Sequence, residues 1–337
     1  MDLIKIKDVL KSEPAFRVAQ AEKAIYKDFY ERWDEVTVFP LKLRQTLNKE
    51  LDLSINGSIL KSSSSESLKA LIKLADGITI ETVLMLHKDG RRTVCVSTQA
   101  GCALDCMFCK TAKLGFKRNL KVDEIISQVL FFSRYLKKLD MKVTNIVFMG
   151  MGEPLLNFET VLEAIKIFND KNKFNISQRK ISISTSGIIE KIIQLAENKL
   201  QINLAISLNA PNNEIRKQIM PIANKYNFTD LIDASKYYIK KTNRRIMFEY
   251  VLLKGINDKT EHAQELASKL KGILCFVNLI PYNGEDLSKK PNLKIVDDFK
   301  NVLLKNNISV TQRYRFGNDI KAACGQLVFL NEKNNLK

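Results

Sequence analysis

Cys102, Cys106 and Cys109 stand in the run GCALDCMFCKTAKLGF, in a chain with only six cysteines among 337 residues. The spacing C-x3-C-x2-C lets one loop wrap three thiolates around a small inorganic core. Thiolates are soft donors that select zinc or iron–sulfur clusters over hard cations. Structural zinc sites close with four protein ligands, often including histidine, and the chain's two histidines, His87 and His262, are not neighbours of this loop. Cuboidal iron–sulfur clusters held by protein alone normally take four cysteines. Three therefore favour, over zinc, a cluster with one iron left open to another ligand.

The surroundings of the loop are basic. Net charge is +17, yet residues 1–80 carry 13 Lys/Arg against 12 Asp/Glu, so nearly all of the excess lies beyond them. Lys110, Lys113, Lys117, Arg118 and Lys121 follow the cysteines with no acid between Cys106 and Lys121. A generally cationic surface explains the total charge as well as nucleic acid does. The placement beside the cysteines favours a docked polyanion, held by phosphate contacts and counterion release. A hydrophobic content of 45% is ordinary for a globular chain. No apolar run approaches the roughly 18 residues needed to span a bilayer, and the opening MDLIKIKDVLKSEP lacks the apolar stretch of a secretory signal. We expect a cytoplasmic protein without membrane contact, its thiols reduced and used for metal binding or catalysis.

The elements that must position the cysteines come in two styles. PAFRVAQAEKAIYKDFY places Phe16, Ala19, Ala24 and Ile25 at helical spacing, and a second helix begins at Pro40. Residues 1–65 thus read as a small helical accessory domain ending in a serine-rich joint, Lys61 to Ser67. LKALIKL, TIETVLML and RTVCVST read as strands joined at Asp76-Gly77 and Asp89-Gly90, so 66–94 form a hairpin extension. Residues 95–330 then alternate strands with amphipathic helices. Val122 to Lys138 buries Ile125, Val129, Phe132 and Leu136. A following helix carries Val161, Ile165 and Phe168, with Asn157 as its expected N-cap. Six successive βα units predict an α/β fold with parallel strands in a complete or partial barrel. Reactive groups in such barrels gather where strands end. The cysteine loop, MGMGEPLLN, STSG, SLNAPN and PYN all fall at such ends.

At this point the chain resembles the radical S-adenosylmethionine (SAM) superfamily, and within it the RlmN-type RNA adenine methyltransferases, over essentially its whole length. C-x3-C-x2-C alone marks the superfamily. The narrower resemblance rests on ETV at 81–83, CVSTQAGCALDCMFC at 95–109, GFKRNL at 115–120, MGMGEPLLN at 149–157, STSG at 184–187, NLIPYN at 278–283 and AACGQL at 322–327. It implies a partial (β/α)6 TIM-like radical SAM barrel with a helical accessory domain. It also implies one [4Fe–4S] cluster on Cys102, Cys106 and Cys109, with SAM on the open iron. The reaction implied is methylation of adenine carbon 2, an electron-poor C–H that ordinary displacement from SAM cannot reach. Substrates would be 23S ribosomal RNA near the peptidyl transferase centre and the adenosine beside the anticodon in some transfer RNAs. A donor such as flavodoxin or ferredoxin would supply the electrons.

Residue by residue, the resemblance makes Cys324 the cysteine methylated by a first SAM, whose methyl group is then activated by a second and joined to adenine. Cys95 matches the cysteine that resolves the resulting crosslink as a transient disulfide, a step needing thiolate character. Glu81 matches the base for carbon 2. Contacts to SAM fall on Gly152, Glu153, Ser184, Ser207, Leu208, Asn209 and Asn283. Cys275, in LCFVNLI, reads as a core cysteine. The chain departs from the family pattern at Asn209, where histidine is common, at Lys321, where an acid is usual, and at Phe316. The last is reminiscent of the sister Cfr family, which methylates carbon 8, whereas Pro154-Leu155-Leu156 look like RlmN. Two other readings remain at this point: methylation at carbon 8, and a non-catalytic RNA-binding protein with a metal-stabilised loop.

Overall fold

The computed structural model describes residues 3–284, 286–313, 317, 319–323 and 325–327. Three helices come first: α1 (Ile6–Val9), α2 (Phe16–Tyr26) and α3 (Leu41–Glu50). Ala21, Ala24 and Ile25 of α2 are buried, but Phe16 stands largely in solvent. Pro40 directly precedes α3, where its missing N–H leaves no pairing undone. Trp33 is fully buried between α2 and α3, and its indole donates to Leu51 O at 2.6 Å.

A ten-stranded sheet follows. Its antiparallel part comprises β1 (Gly57–Lys61), β2 (Ser67–Lys73) and β3 (Thr79–Leu86), and leads into β4 (Arg92–Cys95). A short ribbon, β5 (Gln99–Gly101) with β6 (Phe116–Asn119), forms a separate two-stranded sheet. The large sheet continues as β7 (Asn145–Phe148), β8 (Ile181–Thr185), β9 (Asn203–Ser207), β10 (Ile246–Leu252), β11 (Cys275–Pro281) and β12 (Val310–Gln312). From β4 to β12 every neighbouring pair in this sheet is parallel. The crossovers are α4 (Val122–Lys137), α5 (Phe158–Asn169), α6 (Ile189–Glu197), α7 (Asn213–Ile219) with α8 (Phe228–Thr242), α9 (Thr260–Leu270) and α10 (Leu293–Lys305). These are the six expected βα units, followed by one last parallel strand. β1 was not expected, because GSILK exposes four of its five residues and shows no apolar alternation.

Parallel strands covered on both faces read as continuous apolar runs. These alternate instead. Ile146, Phe148, Ile181, Ile183, Leu204 and Ile206 face the helices and are buried, whereas Asn145, Ser182, Asn203, Asn278 and Thr311 line a polar hollow together with Thr93. The sheet must therefore curl around a hollow rather than lie flat. A single contact shows the curl: Arg313, just past β12, reaches the Met149 sulfur, just past β7, at 3.3 Å. Five strand spacings in a flat sheet would separate them by roughly 24 Å.

The helical segment is attached to the outside of this sheet through α4 and α5. Arg134 of α4 is buried and donates to Leu53 O at 2.8 Å and Tyr30 O at 2.6 Å. Lys173 pairs with Glu22 at 3.4 Å. Charged hydrogen bonds of the Arg134 kind contribute about 1.5–3 kcal/mol each. Replacing Arg134 with Ala should lower the unfolding free energy by about 3 kcal/mol, read as a drop in the thermal midpoint of the intact chain by circular dichroism.

Candidate active site

The path to the cysteines starts at the C-terminal end of β4 and is fixed by one peptide. The Ser97 amide donates to Gln128 Oε1 at 2.7 Å, and Gln128 Nε2 returns a bond to Ser97 O at 2.9 Å. A fully buried side chain on α4 thus serves this peptide as a neighbouring strand would. The Ser97 hydroxyl donates to Glu81 O at 2.6 Å and accepts from the Met151 amide at 2.8 Å. The Thr98 and Gln99 amides both donate to Met151 O, and the Glu153 amide donates to Gln99 Oε1 at 2.8 Å. Asn157 occupies the N-cap position of α5 but makes no side-chain cap. Its amide instead donates to Thr98 O and Leu120 O at 3.0 and 2.8 Å, joining the loop after β4 to the segment before α4. The loops after β4 and β7 are laced together before the cysteines begin.

Two glycines let the backbones approach this closely. Gly101 (φ +83°), on the ribbon beneath the cysteine loop, would carry a Cβ only 1.8 Å from Gly115 O. At Gly152 (φ +95°) a Cβ would lie 2.4 Å from that of Gln99. Both need the left-handed backbone and the absent side chain.

Cys102, Cys106 and Cys109 line one cavity with Gly152, Glu153, Ser184, Ser207, Asn209 and Asn283. It measures about 1090 Å³ counting its open mouth. Of the cofactor contacts expected from the sequence, only Leu208 falls elsewhere. Its side chain is fully buried in the core and its amide is spent on Glu249 O at 3.0 Å. Asn209 lines the cavity, but its side chain works inside the protein. Oδ1 accepts from the Val251 amide at 2.8 Å, and Nδ2 lies 3.3 Å from the Met220 sulfur. Its φ of +59° belongs to the left-handed region that asparagine tolerates better than most residues.

The cavity's chemistry fits a cationic cluster and a polar ligand. Burial pushes the Cys102 thiol up to about 11 and Cys106 higher still, and the neighbouring thiols and Glu153 add to the rise. Three thiolates side by side in one loop, with the Arg216 guanidinium the cation acting on Cys106, leave an excess of negative charge that an electropositive iron–sulfur core would offset. Among the described residues, no three Cys, His, Asp or Glu side chains converge as ligands of a single ion; a cubane takes each thiolate on a separate iron. Burial likewise raises the Glu153 carboxyl, despite amides from Ser186 at 2.7 Å and Leu155 at 3.0 Å. An ammonium arriving there would meet an acceptor that needs one. Asn283 Oδ1 is buried with no hydrogen-bond partner among the described residues, an acceptor held open for a ligand donor.

Sequence reasoning missed the group that organises the cavity floor. Glu249 on β10 is almost fully buried; it accepts from Ser184 Oγ at 2.5 Å and Ser207 Oγ at 3.5 Å, and pairs with Arg313 at 2.9 Å. The two serines therefore offer the cavity their oxygen lone pairs. An acid inside the apolar strand IMFEYVL was the available signal, since a buried carboxylate requires a partner. Arg216 was missed too. Its guanidinium is buried near Cys106, donates to Ser186 O at 2.6 Å and Tyr226 O at 3.2 Å, and is pulled down to about 10 by burial.

Glu81 and Cys95 are not among the residues lining this cavity, but they share the concave face beside it. Lys69, Val83, Cys95 and Val147 form one row across β2, β3, β4 and β7, and Glu81 lies two residues along from Val83 on the same face. Glu81 is fully buried, with Lys69 Nζ 3.0 Å from its Oε1. Its amide reaches the sulfur of Met151, which belongs to the loop after β7. Cys324, Phe316 and the residues beyond Leu327 lie outside the described residues. Next to Cys324, Gly325 accepts at its carbonyl from the Lys110 amide at 2.8 Å. Cys275 is packed against the core as expected, its thiol pushed up to about 11 by burial.

The radical SAM superfamily model matches residues 96–267. A protein of Dictyoglomus thermophilum named "Probable dual-specificity RNA methyltransferase RlmN" is 42% identical over all of this chain and 98% of its own length. A Bacillus subtilis protein of the same name is 45% identical over 94% of this chain and 87% of its own. The crystal structure of a radical SAM methyltransferase from Sphaerobacter thermophilus superposes with a TM-score of 0.92. It is 39% identical and covers 96% of this chain and 97% of its own.

The chain belongs to the RlmN family. It is an RNA methyltransferase of the radical SAM class, and its cofactors are a [4Fe–4S] cluster and SAM. Among the described residues no helix is long and apolar enough to cross a membrane.

Glu249→Gln should leave the cluster intact while weakening SAM binding about tenfold or more, because Arg313 loses its counter-charge and one carboxylate oxygen becomes a donor, so the side chain can no longer accept from both Arg313 and the serines. Equilibrium dialysis of the reconstituted protein against labelled SAM measures this. Cys102→Ala should abolish the cluster's visible absorbance and lower the iron content per chain.

Proposed function

We propose that this RlmN-family enzyme methylates carbon 2 of an adenosine in 23S ribosomal RNA near the peptidyl transferase centre, and the adenosine 3′ to the anticodon of some transfer RNAs. The observation that carries the reading is the shared concave face of Glu81 and Cys95, a base and a thiol next to the cavity lined by the cysteines. The dual-specificity name of the relatives and Pro154-Leu155-Leu156 after Glu153 support the same choice.

Bound together, the cluster and SAM supply the methyl group and the radical reactivity that an electron-poor C–H demands. The chain's own residues do the rest. Cys102, Cys106 and Cys109 hold three irons, and Glu153, Asn283, Ser184 and Ser207 orient the SAM polar groups. Cys324 carries the methyl group. In the RNA-linked adduct Glu81 removes the proton from carbon 2; the Cys95 thiolate then attacks the Cys324 sulfur, the S–S bond forms as the sulfur–carbon bond breaks, and the released carbon takes a proton to become the methyl group on the freed RNA.

RNA reaches the rim over a surface that includes the exposed Lys113 and Lys117. Arg118, expected among the free cations, instead pairs with Asp76 at 2.7 Å and Glu124 at 2.8 Å, and so braces the ribbon. The target base leaves its stack to enter the site. The segment 1–65 helps to seat the RNA, and a small electron carrier such as flavodoxin or ferredoxin reduces the cluster.

Mass spectrometry of nucleosides from RNA treated with the reconstituted enzyme should show 2-methyladenosine. 8-Methyladenosine would overturn the position, and unmodified RNA with a colourless protein would overturn the catalytic reading. Cys324→Ala should lose methylation by a hundredfold or more while keeping the cluster. Cys95→Ala should instead accumulate protein covalently bound to RNA, seen as a shifted gel band.

A further inference from the structure

A charge pair lies behind the Glu81 role and has no part in the sequence motifs. Lys69 sits in the middle of β2, buried to the same degree as the core around it, with its Nζ 3.0 Å from Glu81 Oε1. Both side chains are on the concave face, in the register that also holds Cys95. Lysine is rarely buried unless it is paired. A strand interior offers no reason for a cation here other than the carboxylate it touches.

The energetics give the pair a purpose. A glutamate taken fully out of water can rise to a pKa of about 8–9, and would then be ionised in only about one to ten molecules per hundred at pH 7. Such a group cannot accept a proton. An ammonium in direct contact reverses that preference and keeps the carboxylate ionised in a dry site. We propose that Lys69 is a positioning residue for the methylation reaction: it holds Glu81 ionised and aimed along the concave face, so that Glu81 can take the carbon 2 proton. This rests on the assignment of Glu81 as the base. In the step itself the C–H bond of carbon 2 breaks, its electron pair stays on the adenine ring, and the proton goes to a Glu81 oxygen. Lys69 takes no part in the proton transfer and offsets the carboxylate charge before it. Among the described residues, Lys69 from β2 is in contact with Glu81, and the Cys95 thiol from β4 shares its face. The loop after β7 contributes the uncharged Met151 sulfur, and Ser97 an uncharged hydroxyl on the Glu81 carbonyl.

The test compares pH profiles of single-turnover methylation by reconstituted wild type, Lys69→Met and Lys69→Arg, with iron content checked first. Lys69→Met should lose about tenfold to a hundredfold at pH 7, and the loss should shrink as pH rises toward 9, as expected when a carboxylate loses a contacting cation in a dry site. It should also accumulate RNA-linked protein at pH 7. Lys69→Arg, which keeps the charge, should recover most of the rate and the wild-type profile. A Lys69→Met enzyme with the wild-type rate and profile would overturn the proposal, as would a loss that stays constant across pH. Should Lys69→Met fail to take up iron, the decision passes to the infrared spectrum of wild type labelled with 13C-glutamate, with Glu81→Gln as the reference. An ionised Glu81 band at pH 7 supports the proposal, and a protonated one sinks it. Full activity in Glu81→Gln would instead remove Glu81 as base, a separate failure that leaves the ion pair without a catalytic role.

Discussion

Taking charge out of water is costly unless something meets it, and the concave face of this sheet is organised around meeting it. Glu249 finds Arg313 and two serine hydroxyls, Glu81 finds Lys69, and Glu153 finds two backbone amides. Each solution ties together elements distant in sequence. Arg313 joins β12 to β10 and to the loop after β7, Lys69 joins β2 to β3, and Glu153 joins the loop after β7 to that after β8. The polar hollow therefore does part of what a dry core does elsewhere: through Arg313 and Glu153 it fixes the relative positions of elements that are not paired in the sheet.

The cluster loop depends on that fixing. Its cysteines are short side chains on irregular backbone, and its apolar anchorage is a small cluster in which Cys106 and Phe108 pack against Ile219, Met220, Leu253 and Tyr282. Its geometry comes from below, from Gln128 gripping the Ser97 peptide and from Met151 O collecting two amides. Gly101 and Gly152 permit the approach. A loop held this way can keep three thiols near one another despite their mutual repulsion when ionised, and the cation they await relieves it.

Much of this was legible in the sequence, for physical reasons. The six βα units announced themselves through helical periodicity, as in Ile125, Val129, Phe132 and Leu136, all fully buried. The motif residues Gly152, Glu153, Ser184, Ser207 and Asn283 fell at strand ends, and those ends converge in any curled parallel sheet. What escaped were the partners. Lys69 and Arg216 look like ordinary charges in a chain with 54 Lys and Arg, and only three-dimensional register reveals that they are buried; the half-buried Arg313 gives no sign of its pairing with Glu249, whose place inside an apolar strand was the one signal available. Asn157 shows the converse: its side chain, expected as a helix cap, is spent instead on Thr98 O and Leu120 O. Strand β1 was missed because an exposed edge strand carries almost no apolar signature.

The outer edge of the cysteine loop has one more neighbour. The Lys110 amide donates to Gly325 O, the Thr111 hydroxyl donates to Leu327 O at 2.7 Å, and Asp319 is grasped by Ser62 and Ser63. Translation delivers the cysteines two hundred residues before these partners exist. The cysteine loop thus emerges from the ribosome unfinished on one side, and that edge is closed only when residues 325–327 fold back across it.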